Sequence, residues 1–146
     1  MAPCGPAPQA TGDSLSGIAP ARGAGLIRQR SGRRQVDIRN FFYGKDHELE
    51  DLGGGIRRRM AAFNDNAMCV EVHFDTGAVA ALHSHPHEQI SYVVSGVFEF
   101  EIGGEKKIVR AGDTTYKQPG IEHGATCLEE GMLLDFFTPH REDFVK

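Results

Sequence analysis

From Ile56 to Thr138 the chain is cut into short runs rich in β-branched and aromatic residues, and nearly every run ends in a turn signal. The runs are "IRRRMAAF", "AMCVEVHF", "AVAALHSH", "QISYVVSG", "VFEFEIGG", "EKKIVRAG", "DTTYKQPG" and "GMLLDFFT". Between them stand Asn64-Asp65-Asn66, Asp75-Thr76-Gly77, Ser95-Gly96, Gly103-Gly104, Ala111-Gly112-Asp113, Pro119-Gly120 and Glu129-Glu130-Gly131. No stretch sustains a helical period. Alternation is clearest in Phe98-Glu99-Phe100-Glu101-Ile102, which puts apolar residues on one face and acids on the other. Short strands with regular turns predict an all-β antiparallel sandwich or a small jelly-roll barrel. No internal repeat is visible.

The first 35 residues have a different texture. They hold four prolines, six glycines and no aromatic residue. Such a segment cannot bury enough apolar surface to offset the entropy of ordering it. Residues 1–35 are therefore expected to be a disordered extension or a non-native leader, and residues 36–146 a single domain. Charge divides at the same place. Residues 1–35 carry five arginines and one acid, whereas 36–146 carry 11 basic and 19 acidic side chains. An acidic domain is a poor nucleic-acid binder, and no helix-turn-helix segment is present. No apolar run reaches the roughly 20 residues needed to span a bilayer. The N-terminus lacks the apolar stretch of a secretory signal, so a cytoplasmic location is expected. Cys4, Cys69 and Cys127 are odd in number and widely spaced, which fits neither a disulfide framework nor a zinc CxxC pair.

The chemistry concentrates in "HSHPHEQ", residues 83–89, which holds three of the seven histidines. In a strand, residues two apart point to one face, so His83 and His85 project together. Pro86 separates them from His87 and is expected to bend the chain. Gln89 opens the next apolar run and offers an oxygen. His123 follows the Pro119-Gly120 turn. Three imidazoles and an amide oxygen suit one divalent first-row metal ion: Ni, Zn, Fe, Mn or Co.

Two stretches resemble the motifs of the cupin superfamily. Gly77, "AVAAL", His83-x-His85, three residues, Gln89, six residues and Gly96 match the first motif, with Gln89 where most cupins have glutamate. Gly112, "DTTYK", "QPG", two residues and His123 resemble the second, with Gln118 in place of its proline and Cys127 in place of its asparagine. The resemblance implies a cupin double-stranded β-helix, usually dimeric, with His83, His85, Gln89 and His123 facing one metal ion. A neutral glutamine in place of glutamate makes such a site a stronger Lewis acid.

"LGGGIRRRMAAFNDNAM", "LHSHPHEQISYVVSG", "FEIGGEKK" and "LLDFFTPHREDF" look like the KdgF-type small cupins of pectin degradation. That resemblance implies conversion of 4,5-unsaturated monouronates to linear 5-keto-4-deoxyuronate, in the manner of a metal-dependent tautomerase. It also carries the family's Asp-x-Phe-x-x-x-Arg pattern onto Asp135, Phe137 and Arg141 as catalytic and substrate-binding residues. An aspartate can shuttle a proton. An arginine can grip a carboxylate in a fork. Tyr116 and Lys117, just before the second motif, are further candidates to line the pocket. Arg59 is the candidate from the run Arg57-Arg58-Arg59, and His87 and Glu88 are expected to lie behind the ligands or face solvent. Two other functions compete: an iron-dependent cupin dioxygenase, which needs oxygen, and a non-catalytic cupin that binds a sugar acid without converting it. The expected partners are a small anionic sugar acid and a second copy of the chain, with no nucleic acid and no membrane.

Overall fold

A computed structural model describes residues 40–145; the expectation for residues 1–35 lies outside the described residues. Eight strands follow one another: β1 (Glu50–Gly53), β2 (Ile56–Phe63), β3 (Met68–Phe74), β4 (Val79–His83), β5 (Glu88–Ile102), β6 (Glu105–Arg110), β7 (Thr114–Lys117) and β8 (His123–Thr138). Short 3₁₀ turns at Gly44–Asp46 and Glu142–Phe144 flank them. Every strand pairing is antiparallel, and the hydrogen-bonded order is β1-β2-β3-β8-β5-β6, with β4 on β8 and β7 on β5.

β5 and β8 are long because each serves two layers. The first part of β5 pairs with β7, and its later part pairs with β6. The first part of β8 pairs with β4, and its later part with β3. The bend falls where the β5–β8 ladder breaks register, between Val93 and Phe98. Ser95-Gly96 and Glu129-Glu130-Gly131, expected as turns between strands, lie inside β5 and β8 and form this bulged crossing. Gly96 has φ of 84°, and a Cβ there would stand 2.6 Å from the Glu129 carbonyl oxygen. Glycine is the only residue that permits so close a crossing of two backbones. The result is a jelly roll of two layers joined through two bent strands, as the turn-rich pattern predicts.

The inner face follows the alternation. Met68, Val70, Val72 and Phe74 of β3 are buried, as are Val93, Phe98 and Phe100 of β5 and Ala125, Cys127, Leu133 and Phe137 of β8. Phe74 and Phe98 meet edge to face at 5.3 Å between ring centres, the arrangement aromatic quadrupoles prefer. Polar side chains also point inward. Gln89, Ser91, Lys117, His85 and His123 are all buried. Burying them is costly unless each is paired, so their partners define the site.

Candidate metal centre and its cavity

A cavity of about 190 Å³ opens from the surface into the barrel interior. Val72, Phe74, Phe100, Ala125 and Leu133 form its apolar lining, while His83, Gln89, His123, Asp135 and Arg141 supply polar groups. β4 and β8 are neighbours, with His83 and His123 in register. β4 ends at His83, so His85 sits just beyond the strand rather than within it. Their rings still converge: His83 and His123 centres lie 4.5 Å apart, and His85 and His123 4.9 Å.

Each imidazole is oriented by a backbone carbonyl. The Nδ1 hydrogens go to Ala81 from His83 (2.9 Å), to His87 from His85 (3.1 Å) and to Ile121 from His123 (2.9 Å). That tautomer leaves Nε2 bare on all three rings. Gln89 Oε1 lies 3.0 Å from His85 Nε2 and 3.2 Å from His123 Nε2. Lone pairs thus face lone pairs with no proton between them, an arrangement a cation relieves. One ligand atom from each of His83, His85 and His123 falls within 4.8 Å of the others. The donor set fits a divalent first-row metal ion.

Burial and neighbouring positive groups act together on His85 and His123. Burial is the main cause that pushes His123 down from 6.5 to about 4, and it also lowers His85. A buried imidazole held neutral is ready to bind metal. It also makes the metal-free fold acid-sensitive. Below about pH 6.5 the unfolded chain takes up a proton at His123, whereas the folded chain does so only near about 4. Stability is therefore lost as the pH falls through that window, by about 3 kcal/mol at about 1.4 kcal/mol per pH unit. Urea titrations of metal-free protein at about pH 7 and about pH 4.5 should differ by this order. An unfolding free energy that does not change over the window would show His123 to be well solvated in the fold.

Beside the imidazoles, Ser91 donates a hydrogen bond to Asp135 Oδ1 and accepts one from Lys117 Nζ. Lys117 is fully buried, with its ammonium 4.6 Å from the centre of the Phe100 ring. Desolvation pulls its pKa down to about 8, opposed by the charge of Asp135. Phe137 lies against His85, ring centres 5.7 Å apart. Arg141 lies over Phe137 and Phe144 at 5.6 and 4.4 Å. Its Nε and Nη2 donate to Asp143 at 2.8 and 2.7 Å, and that pairing holds Asp143 down at about 2.

The structure brings His83, Gln89, His123, Asp135, Phe137 and Arg141 together around one cavity, with His85 behind its wall against Gln89 and Phe137. It does not bring Tyr116 or Arg59 there. Tyr116 is 55% exposed on the outer face of β7, with its hydroxyl 3.4 Å from Glu88. Strand alternation sends its neighbour Lys117 inward, where the ammonium meets Ser91 rather than open cavity. Arg59 points away from the cavity and pairs with Glu71. Its neighbour Arg58 lines the cavity instead, 4.0 Å over the Phe144 ring and 2.8 Å from Glu50. Ser91 was absent from the expected set. The signal that points to it is its position two residues after Gln89, on the same strand face.

The cupin domain model matches residues 70–137. The chain is 42% identical over 110 residues to the pectin degradation protein KdgF of Dickeya dadantii, covering 74% of this chain and all of that protein. An RmlC-like cupin from Shewanella frigidimarina is 44% identical and superposes with a TM-score of 0.71, over 74% of this chain and 97% of the other. KdgF from Halomonas sp. is 39% identical with the same TM-score, over 74% of this chain and all of the other. No helix among the described residues is long and apolar enough to cross a membrane.

Proposed function

The chain belongs to the cupin family of the pectin degradation protein KdgF, and from that premise we propose that it opens 4,5-unsaturated monouronates to linear 5-keto-4-deoxyuronate. The observation that carries this reading is the shared cavity. His83, His123 and Gln89 line the same cavity as Asp135, Phe137 and Arg141, and His85 joins the cluster from behind the wall, with its Nε2 3.0 Å from Gln89 Oε1 and its ring against Phe137. The substrate is a cyclic hemiacetal whose ring oxygen is attached to a carbon–carbon double bond, with a carboxylate at the same end.

His83, His85, Gln89 and His123 would hold a divalent metal ion, which would supply Lewis acidity toward a substrate oxygen. Arg141 presents the donors not used by Asp143 to the substrate carboxylate, with Arg58 adding positive charge at the same mouth. Phe137 and Phe144 offer faces to the sugar ring. Ring opening breaks the bond from the anomeric carbon to the ring oxygen, and the anomeric hydroxyl becomes the aldehyde. The ring oxygen gains a proton and becomes an enol. Asp135 then moves that proton to carbon 4, and the ketone forms at carbon 5. Atoms balance throughout, because the reaction is an isomerisation.

The test supplies lyase-generated unsaturated monouronates and follows loss of their ultraviolet absorbance without oxygen. The expected result is metal-dependent decay of that absorbance, faster than the spontaneous rate. Decay only with oxygen would favour an iron dioxygenase. Binding without decay would make this a sugar-acid-binding cupin. The expected partners remain a small sugar acid and a second copy of the chain.

A further inference from the structure

A glutamate ligand presents an oxygen whichever way its carboxylate turns. A glutamine does not. Its amide has one oxygen and one NH₂, and the wrong half-turn points hydrogens at the metal. A cupin centre with Gln89 as ligand therefore needs something that chooses the amide's orientation. The buried polar cluster behind Gln89 has the means.

Ser91 Oγ carries one hydrogen and has three polar neighbours. Lys117 Nζ donates to it, and an ammonium can only donate. Ser91 must therefore accept on that side, and its own hydrogen goes to Asp135 Oδ1. Its remaining lone pair receives Gln89 Nε2 at 3.3 Å. With the NH₂ so occupied, Gln89 Oε1 faces the bare Nε2 atoms of His85 and His123. Reverse the hydroxyl, and the amide is free to turn its hydrogens toward those lone pairs and fill the place of the cation. Ser91 and Lys117 are both fully buried; Ser91 borders the cavity, and Lys117 lies behind it. An entirely buried ammonium is costly to the fold, and its contacts are Ser91 and the face of Phe100.

We propose that Lys117 and Ser91 are a positioning pair that fixes the Gln89 amide with its oxygen toward the metal and, through the same hydroxyl, orients Asp135. The metal half of the proposal stands on the hydrogen-bond geometry alone, and the Asp135 half rests on the uronate reading above. Lys117 does not line the cavity, and Ser91 borders it with its hydroxyl already shared among Lys117, Asp135 and Gln89. Both act through a ligand and a base.

The deciding experiment is a double-mutant cycle on zinc affinity, read by competition with a chromophoric chelator at fixed pH. Ser91→Ala in the wild-type background should weaken zinc binding by about 10–100-fold, the usual cost of removing a partner that orients a ligand. In a Gln89→Glu background the same change should cost less than about threefold, because a carboxylate needs no orientation. Lys117→Met should repeat the pattern, and it carries the test if Ser91→Ala does not fold. Ser91→Thr, which keeps the hydroxyl, should restore most of the affinity. Equal losses in both backgrounds, or no loss in the first, would overturn the proposal. Uronate turnover by the same variants reads the second half. A fall in kcat for Ser91→Ala with metal saturating supports the link to Asp135, and an unchanged kcat removes it. A wild-type protein that fails to convert uronates leaves the zinc cycle intact.

Discussion

Asp135→Asn is expected to lower kcat by about 10²–10⁴, the usual contribution of a positioned acid–base group, with metal content unchanged. The substitution suits the site. Asparagine has the size of aspartate, and its oxygen can still accept the Ser91 hydrogen that Asp135 Oδ1 now takes. The cross-strand pairing of Asp135 with Ser91 stays as it is, and what disappears is the ability to take and return a proton. Arg141→Lys should differ in kind. Lysine keeps the charge but loses the planar fork, so KM should rise more than kcat falls. It also loses the two-bond pairing to Asp143, which frees that carboxylate to repel the substrate. Steady-state kinetics on unsaturated monouronates, with metal measured on the same samples, separates the two. Wild-type kcat in Asp135→Asn would remove this residue from the proton path.

His123→Ala should weaken metal binding by more than about 100-fold, since a partner that merely orients a ligand is already worth about 10–100-fold. Activity should fall with it. His83→Ala should act in the same direction, for His83 completes the cluster from the cavity wall. Metal content after dialysis is the measurement, and full occupancy in both variants would move the metal elsewhere. The pH behaviour sharpens the expectation. An ordinary imidazole, with a pKa of about 6.5, loses metal to protons below roughly pH 5–6. Burial has already lowered His123 to about 4, so protons compete weakly and metal should be retained below that range.

Much of this site is legible in the sequence because strand geometry is simple. Asp135 and Phe137 are two apart on β8, so alternation puts them on one face, and His83, His85 and Gln89 share one motif that spans the end of β4, a loop and the start of β5. What alternation does not say is which face is inward. Arg58 and Arg59 look equivalent in "IRRRM", and the answer depends on the pairing of β2 with β3. Tyr116 and Lys117 show the same ambiguity, made harder because the charged residue goes inside and the aromatic one stays out. Hydropathy predicts the reverse. Ser91, the Phe100 ring and the Asp135 charge make that placement tolerable, and a lone serine in "QISYVV" carries no pattern of its own. The two long strands were obscured for another reason. Gly96 and Gly131 read as turn residues, but here their lack of a side chain lets β5 and β8 cross closely and continue.

The β5–β8 pairing has a consequence for how this protein comes to be active. Gln89 lies opposite Phe137 and Ser91 opposite Asp135, so one zipper between segments more than forty residues apart aligns ligand and base. A slip of one residue would turn β5 over relative to β8, so that Gln89 and Ser91 face outward and Ile90 inward while Asp135 and Phe137 keep their face, which separates ligand from base. Contacts so distant in sequence close late and slowly, on the millisecond-to-second scale of about 10⁻³–1 s typical of β-sandwiches. Ligand and base therefore meet only when this long-range pairing closes, and competence for chemistry should arise in the same kinetic step as the closed barrel.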